Sequence, residues 1–168
     1  MIYYITGGER SGKSKYAQEL ALRLSDNPVY IATAMAWDKD FEKRIERHQN
    51  ERDERWINIE EEKYISKTAI SNKVAIIDCV TLWLTNIYTD TKFDIEEALK
   101  EAKAEVDKWE EIEATLIIIS NEIGMGVHAA TEMGRKFVEL QGWINQYIAN
   151  KANKALLMVS GIPVNLKD

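Results

Sequence analysis

The segment Gly7–Ser14, which reads GGERSGKS, constrains the fold more than any other part of the chain. It matches the pattern G-x-x-x-x-G-K-[ST], in which glycines let the backbone wrap a phosphate chain with its N–H groups pointing inward. An apolar, strand-like run precedes it at 2–6, and a helical pattern follows from residue 13. A helix N-terminus after a glycine-rich turn favours anions, because the helix dipole adds to the free N–H groups. The sequence therefore predicts a P-loop domain that binds a nucleoside triphosphate.

Three side chains are predicted to carry the phosphate chemistry. Lys13 is expected to reach the β- and γ-phosphates, and the Ser14 hydroxyl to bind Mg²⁺. Asp78 ends the apolar run VAIID, where a P-loop protein needs an acid for its Mg²⁺ shell. The predicted metal ligands are thus Ser14 and Asp78. The predicted phosphate contacts are Gly7, Gly8, Glu9, Arg10, Ser11, Gly12, Lys13 and Ser14.

Short apolar runs alternate with longer amphipathic segments along the chain. Several runs are almost continuously apolar, which is typical of strands covered on both faces of a parallel sheet. The alternation predicts one α/β domain over residues 1–168, with helices flanking a mostly parallel sheet. Gly161 and Pro163 separate two apolar runs, which indicates an antiparallel C-terminal edge hairpin. The predicted strands are 2–6, 29–33, 56–59, 74–78, 115–120 and 155–160, and the predicted helices are 13–25, 39–52, 80–88, 94–113 and 129–153.

Two of the predicted helices have informative faces. The helix at 94–113 carries nine acidic residues against three lysines, so we expect it to expose a charged face. The helix at 129–153 has apolar residues at three- and four-residue steps, which predicts a stripe that faces the core. That stripe consists of Met133, Phe137, Leu140, Ile144 and Tyr147.

Composition and charge limit the partners and the kinds of site. The net charge of −6 argues against broad nucleic-acid binding, which requires a basic footprint. The single cysteine, Cys79, excludes an internal disulfide, and with only two histidines a zinc site is not expected. We expect Cys79 to be a buried small side chain rather than a nucleophile. Neither a secretory signal pattern nor an apolar run of about 20 residues is found, so we expect a cytoplasmic protein without a membrane span.

The segment RIERHQNER, residues 44–52, places Arg44, His48 and Arg52 at four-residue intervals. On a helix these three side chains would share one face. A neutral imidazole is a competent nucleophile toward phosphorus, and flanking guanidinium groups can bind phosphate oxygens. The acidic residues between them fit an ordinary solvated helix surface equally well. From the residues alone both interpretations stay open.

Several segments occur together in an order that resembles one enzyme family. They are GGERSGKS, YIATA, RIERHQNER, NEIGMG and GWINQYIA, and the likeness continues to VSGIP. Together they resemble the bifunctional adenosylcobinamide kinase / adenosylcobinamide-phosphate guanylyltransferase family of cobalamin biosynthesis. The histidine and NEIGMG segments are more particular to it than the phosphate loop, which many families share. The resemblance implies a RecA-like P-loop NTPase domain.

Two successive reactions are implied by the resemblance. The first phosphorylates adenosylcobinamide with ATP or GTP, and the second transfers GMP from GTP to that phosphate, giving adenosylcobinamide-GDP and pyrophosphate. The resemblance implies that His48 becomes covalently guanylylated. A physical account fits this role, because Lys13 and the loop amides can stabilise the departing pyrophosphate, while Arg44 and Arg52 can neutralise the charge that develops on the α-phosphate. Mg²⁺ as cofactor and a homotrimer are implied as well. The implied nucleotide contacts outside the phosphate loop are Ala32, Thr33, Ala34, Gln49, Asn50, Glu51, Arg52, Glu60 and Asp78.

Some features leave alternatives. A P-loop small-molecule kinase for another alcohol, or a non-catalytic GTP-binding switch or assembly subunit, would share the phosphate loop. His128 stands where the family carries a proline-containing turn, so we expect a loop residue there. Glu122 follows the strand at 115–120 on the active-site edge, where it either orients the acceptor or the Mg²⁺ shell, or belongs to the loop. Trp37 and Trp83 are apolar candidates for an exposed surface between subunits.

Overall fold

The computed structural model describes residues 1–35 and 52–168, and the structural statements below concern these residues. They form a seven-stranded sheet in the order β3-β2-β4-β5-β1-β6-β7. The strands are β1 (Ile2–Gly7), β2 (Val29–Ala32), β3 (Ile57–Glu60), β4 (Val74–Asp78), β5 (Thr115–Ile119), β6 (Lys154–Val159) and β7 (Ile162–Lys167). The helices are α1 (Lys13–Leu24), α2 (Val80–Asp90), α3 (Ile95–Glu111) and α4 (Glu132–Lys151), with a short 3₁₀ turn at Ile65–Lys67.

The sheet is parallel from β3 to β6, and β7 runs antiparallel to β6. Consecutive parallel strands are joined by crossovers, which place helices on the two faces of the sheet. The predicted α/β class, the mostly parallel sheet and the antiparallel C-terminal hairpin are confirmed. The carboxyl ends of the parallel strands meet at one edge, where ligands bind in open α/β sheets.

Both faces of the sheet are covered, and the strand β5 shows why its run is continuously apolar. Leu116 and Ile118 pack into a cluster with residues of α2, α3 and α4. Ile117 and Ile119 point the other way and pack against α1. All four are at most 1% exposed, so each successive side chain is buried on one face or the other.

The two helices with informative faces are found with small shifts at their ends. The helix α3 begins after Asp94, whose side chain accepts hydrogen bonds from the amides of Glu96 and Glu97, both at 3.0 Å. Such an N-cap satisfies amides that the helix itself leaves without a partner. In α4, Leu140 and Ile144 are fully buried and Phe137 and Tyr147 are half-buried, as predicted, whereas Met133 is 51% exposed. The prediction for Met133 is wrong because this residue lies in the first turn of α4, at the carboxyl edge of the sheet.

The prediction that Trp83 is exposed is also wrong. Its side chain is fully buried and packs on Trp109, with 4.8 Å between the ring centroids. The indole N–H donates to the carbonyl oxygen of Lys63 at 2.9 Å, which is how a buried tryptophan is usually satisfied. Trp37 and nearly all of the predicted helix 39–52 lie outside the described residues. Within 1–35 and 52–168 no helix has both the length and the apolar character that crossing a bilayer requires.

Candidate active site

The phosphate loop lies at the carboxyl end of β1, between the ends of β5 and β6. Gly7 has φ +155°, and a Cβ built on it would come within 2.6 Å of the Met158 carbonyl oxygen in β6. Gly12 has φ +96°, and its Cβ would lie 3.1 Å from the Cα of Gly161 in the β6–β7 turn. Glycine at these two positions therefore lets the loop sit directly on β6 and the hairpin turn.

Lys13 is the first residue of α1, and its side chain folds back over the loop. The ammonium group donates a 2.6 Å hydrogen bond to the Gly8 carbonyl oxygen and lies 3.4 Å from the Ser11 hydroxyl. Burial lowers the pKa of Lys13, although the carboxylates of Asp78 and Glu9 oppose the effect. A bound phosphate would compensate this buried charge, so the geometry suits the predicted role.

Ser14 and Asp78 are brought together although they are far apart in sequence. The Ser14 hydroxyl, in the first turn of α1, donates a 3.0 Å hydrogen bond to Oδ2 of Asp78 at the end of β4. A hydroxyl and a carboxylate are hard oxygen donors, and Mg²⁺ is typically held by one or two such groups together with waters and nucleotide phosphates. The pair therefore fits the predicted Mg²⁺ ion by its chemistry.

Tyr30 in β2 belongs to the same group of contacts, although it is absent from the residues predicted for the site. Its hydroxyl donates to Oδ2 of Asp78 at 2.5 Å. Burial, followed by the neighbouring Asp78 carboxylate, raises the pKa of Tyr30 well above its usual value, so the hydroxyl stays a donor. The available signal was a tyrosine in a short, otherwise apolar strand, since a buried tyrosine usually needs a hydrogen-bond partner.

Arg52 lies over the ring of Tyr30, with its guanidinium carbon 3.8 Å from the ring centroid. Its Nε donates a 2.7 Å hydrogen bond to the side-chain oxygen of Asn58 in β3. The structure therefore brings this predicted phosphate ligand to the same tyrosine that contacts Asp78. The other predicted residues of this segment, which are Arg44, His48, Gln49, Asn50 and Glu51, lie outside the described residues.

The chain following β2 is tied to the end of β4. Thr33 is fully buried, and its hydroxyl donates to the Cys79 carbonyl oxygen while accepting from the Cys79 amide, both at 2.8 Å. The Thr33 side chain therefore joins two strand ends, while Ala32 and Ala34 beside it are half-buried. Asn86 of α2, also absent from the predicted site, donates to the carbonyl oxygens of Thr33 at 2.9 Å and Glu62 at 3.1 Å.

Cys79 follows Asp78 directly but has no nucleophilic character. It is 6% exposed, as predicted for a buried small side chain. Burial raises the pKa of its thiol to about 12. Because only the thiolate is a good nucleophile, this cysteine stays chemically inert at neutral pH.

Glu60, Glu122 and His128 occupy different places along the carboxyl edge. Glu60 is exposed at the end of β3 and is paired in register with Ala32. The Glu122 amide donates to the Gly7 carbonyl oxygen at 3.0 Å, and its carboxylate accepts from the Gly124 amide at 3.3 Å. His128 is exposed in the loop that leads to α4, so its prediction as a loop residue is confirmed.

A buried polar cluster supports the segment that carries Glu122. Ser120 donates to the side-chain oxygen of Asn145 at 2.6 Å, and the Gln141 amide donates to both Ser120 and Asn145. Asn145 in turn donates to the carbonyl oxygen of Asn121 at 3.2 Å. These residues escaped prediction because Gln141 and Asn145 read as polar positions of an amphipathic helix. Their i, i+4 spacing beside the apolar stripe is the signal that marks them.

Comparisons with known proteins match nearly the whole chain to one enzyme family. The family model described as "Cobinamide kinase / cobinamide phosphate guanyltransferase" matches residues 3–166. The bifunctional adenosylcobalamin biosynthesis protein CobP of Pseudomonas aeruginosa is 35% identical over 167 residues, which cover 97% of this chain and 95% of the relative. CobU of Escherichia coli K12, described in the same words, is 32% identical over 182 residues, which cover 99% of this chain and all of the relative.

A solved structure is similar in fold alone. A protein of Pyrococcus horikoshii OT3 superposes with a TM-score of 0.54 at 10% identity, covering 99% of this chain and 86% of the other. The assignment of the family rests instead on the two sequence comparisons, which extend over nearly the whole chain. The chain belongs to the cobinamide kinase / cobinamide phosphate guanyltransferase family.

Proposed function

We propose that this chain is a bifunctional enzyme that phosphorylates adenosylcobinamide and then attaches GMP to the new phosphate. The observation that carries this proposal is the family match over residues 3–166, which includes a phosphate loop where Lys13 contacts the Gly8 carbonyl oxygen and Ser14 contacts Asp78. The products of the second reaction are adenosylcobinamide-GDP and pyrophosphate. ATP or GTP supplies the phosphoryl group in the first reaction, and GTP supplies GMP in the second.

In the kinase step the acceptor hydroxyl attacks the γ-phosphorus of the nucleotide. The bond from that phosphorus to the bridging oxygen breaks, the nucleoside diphosphate departs and the hydroxyl proton is released to solvent or a nearby base. The loop amides and Lys13 stabilise the charge that moves onto the bridging oxygen. Ser14 and Asp78 would hold Mg²⁺, which supplies further charge neutralisation when bound.

In the guanylyl step an imidazole nitrogen of His48 attacks the α-phosphorus of GTP. The bond to the bridging oxygen breaks, pyrophosphate leaves, and a guanylyl group remains on His48. The phosphate of the corrinoid then attacks the same phosphorus and frees the histidine. We propose that Arg44 and Arg52 neutralise the negative charge that develops on the α-phosphate. One loop serves two different phosphorus atoms, so the nucleotide or the His48 segment has to shift between the steps.

The remaining features of the proposal come from the family resemblance. The nucleotide contacts are proposed to include Ala32, Thr33, Ala34, Gln49, Asn50, Glu51 and Glu60 besides the phosphate loop. Thr33 is fully buried, its hydroxyl is bonded to Cys79 and its amide to the Asp78 carbonyl oxygen, so it supports the proposed contacts at Ala32 and Ala34. We propose a cytoplasmic homotrimer that acts on a small corrinoid and not on nucleic acid. Sedimentation equilibrium would test the trimer.

Covalent labelling tests the function. Incubation of the protein with α-³²P-GTP and Mg²⁺ should give a label that is lost in acid and kept in base, as expected of a phosphorus–nitrogen bond. His48→Ala should abolish the label, whereas His128→Ala, which removes the other histidine of the chain, should retain it. Addition of adenosylcobinamide phosphate should discharge the label into adenosylcobinamide-GDP.

The alternatives give different results in the same assay. A kinase for another alcohol would transfer the γ-phosphate of ATP without ever taking up the α-label. A switch or assembly subunit would bind GTP, show neither transfer and leave the nucleotide intact. If His48→Ala abolishes kinase and guanylylation activity equally, the two reactions do not use distinct arrangements of the site.

A further inference from the structure

We propose that Tyr30 is a positioning residue that holds Asp78 with its hydroxyl and Arg52 with its ring. One buried side chain would then set the geometry of two parts of the site, the Mg²⁺ carboxylate and a phosphate-binding arginine. The inference rests on the proposed function and assigns Tyr30 a part in both reactions. It concerns a residue that lies in a strand and outside the phosphate loop and the histidine segment.

The hydroxyl of Tyr30 fixes the Asp78 carboxylate. It donates at 2.5 Å to Oδ2, the same oxygen that accepts from Ser14 at 3.0 Å. Two donors from different elements, β2 and α1, restrict the rotation of the carboxylate before any ion is bound. Hydrogen bonds of this kind to a metal-ligating group orient the ligand and commonly change metal affinity by about 10- to 100-fold.

The ring of Tyr30 holds Arg52. The guanidinium carbon lies 3.8 Å from the ring centroid, which is well inside the distance of about 6 Å for a cation–π contact. The hydrogen bond from Arg52 Nε to the side-chain oxygen of Asn58 is a second contact that holds the guanidinium group over the ring. Arg52 is the last residue of the segment 44–52 that carries His48, so its position fixes the end of that segment nearest to β3.

Tyr30 is itself rigidly held. It is 4% exposed, and Trp56 packs edge-on against its ring with 6.0 Å between the centroids and 82° between the planes. Tyr88 offers a matched comparison, because it is 3% exposed and its hydroxyl has no hydrogen-bond partner among the residues that the structure describes. For packing alone a phenylalanine would serve at either position. Only at Tyr30 does the hydroxyl bond to a predicted metal ligand.

Two substitutions separate the two halves of the proposal. Tyr30→Phe keeps the ring and removes the hydroxyl, while Tyr30→Leu removes both, and Tyr88→Phe is the control for loss of a buried hydroxyl. The first measurement is the Mg²⁺ concentration that half-saturates the binding of a fluorescent GTP analogue that cannot be cleaved. The second measurement is the single-turnover rate of guanylyl labelling at saturating Mg²⁺.

We expect Tyr30→Phe to raise the half-saturating Mg²⁺ concentration by about tenfold, while its labelling rate at saturating Mg²⁺ stays within about twofold of the wild type. Tyr30→Leu should show the same change in Mg²⁺ requirement and, in addition, label at least about tenfold more slowly. Tyr88→Phe should match the wild type in both measurements. Arg52→Ala should slow labelling strongly in the wild type but add little to Tyr30→Leu, because the two changes remove the same contact.

The opposite results would overturn the inference. An unchanged Mg²⁺ requirement in Tyr30→Phe would show that the hydroxyl does not orient Asp78. If Arg52→Ala slows labelling as much in the Tyr30→Leu background as in the wild type, the ring does not position Arg52. If Tyr30→Leu does not fold by circular dichroism, Tyr30→Trp retains an aromatic face and should keep the Arg52→Ala effect. A wild-type protein that takes up no label would instead contradict the proposed function, while the Mg²⁺-binding measurement would still decide the role of the hydroxyl.

Discussion

The backbone amide of Gly161 donates a 2.9 Å hydrogen bond to the carbonyl oxygen of Ser11, and so the C-terminal hairpin turn supports the phosphate loop. The contact joins the two ends of the sequence. The approach is close because Gly12, next to Ser11, has no side chain to separate the loop from the turn. The position of the loop amides therefore depends on a turn that itself carries no nucleotide-binding motif.

Replacing Gly161 by alanine should weaken nucleotide binding. Gly161 has φ +83°, which costs an L-residue roughly 1–2 kcal/mol, while a Cβ there would meet no atom within 4 Å. We expect unfolding in urea to show a loss of about 1–2 kcal/mol and titration with a fluorescent GTP analogue to show a several-fold weaker affinity. Gly142→Ala is the control, since its Cβ also meets nothing within 4 Å and helix propensity predicts a gain of about 0.5–1 kcal/mol. Unchanged affinity in Gly161→Ala would mean that the turn serves stability alone.

Lys13→Met should stabilise the nucleotide-free protein at neutral pH. Burial lowers the pKa of Lys13, so the charged ammonium group destabilises the folded state relative to the unfolded chain. The unfolded chain binds more protons between the lowered pKa and the ordinary pKa near 10.5. The wild type therefore gains stability as the pH rises through this window, and the advantage of Lys13→Met should shrink.

Urea unfolding of both proteins from pH 7 to pH 11 measures this difference. Because all other groups are shared, their titration cancels in the comparison. Lys15→Met, which alters an exposed lysine in the same helix, is the matched control for the loss of a lysine from α1. If the stability advantage of Lys13→Met stays constant from pH 7 to pH 11, burial does not lower the pKa of Lys13.

The thiol of Cys79 should not react with Ellman's reagent in the native protein. It is 6% exposed and its pKa is raised to about 12, so both access and thiolate are lacking at pH 8. The rate of the reaction in native buffer should be limited by unfolding of the protein. In 8 M urea the protein should rapidly release one equivalent of the coloured thionitrobenzoate anion from the reagent. Rapid stoichiometric release without denaturant would show that the cysteine is accessible and activated.

Asn86→Ala should destabilise the protein and slow guanylylation. The change leaves the buried carbonyl oxygens of Thr33 and Glu62 without their donor, which should cost about 1–3 kcal/mol in urea unfolding. Thr33 lies before the His48 segment in sequence and Glu62 lies after it, so Asn86 holds the chain on both sides of that segment. Loss of both bonds should therefore position His48 less precisely and slow the labelling. Thr89→Ala, which removes only a hydroxyl bonded within the same helix, should cost less than about 0.5 kcal/mol. A normal labelling rate in Asn86→Ala would limit its role to stability.

Much of this fold is predictable because its signals are local. The phosphate loop, the continuously apolar strands and the acid at the end of β4 can be read from neighbouring residues. Their parallel arrangement then follows from the alternation of strands and helices, because a helix between two strands returns the chain to the same end of the sheet. Lys13, Ser14 and Asp78 consequently lie where the sequence predicts them. Met133 and Trp83 were wrongly placed because burial at the ends of a helix depends on how the whole helix sits on the sheet.

The contacts that complete the site could not be predicted from spacing. Tyr30 meets Asp78 across 48 residues, and Asn86 meets Thr33 across 53. Each of these side chains reads, in its own segment, as an ordinary residue of a strand or helix. Their roles come from the order of the strands, which places β2 beside β4, and hydrophobic patterns do not specify that order.

The position of β1 between β5 and β6 determines when the phosphate loop of a nascent chain gains its neighbouring strands. Ile2 lies beside Leu116 in β5, and Tyr3 beside Lys154 in β6. The phosphate loop is synthesised before β5 and β6, the two strands that flank β1 in the sheet. Until both strands have been made, the loop of a nascent chain lacks the neighbours that position it. We therefore expect GTP to bind only after β6 has paired with β1, so that the nucleotide stabilises the finished sheet and does not guide early folding.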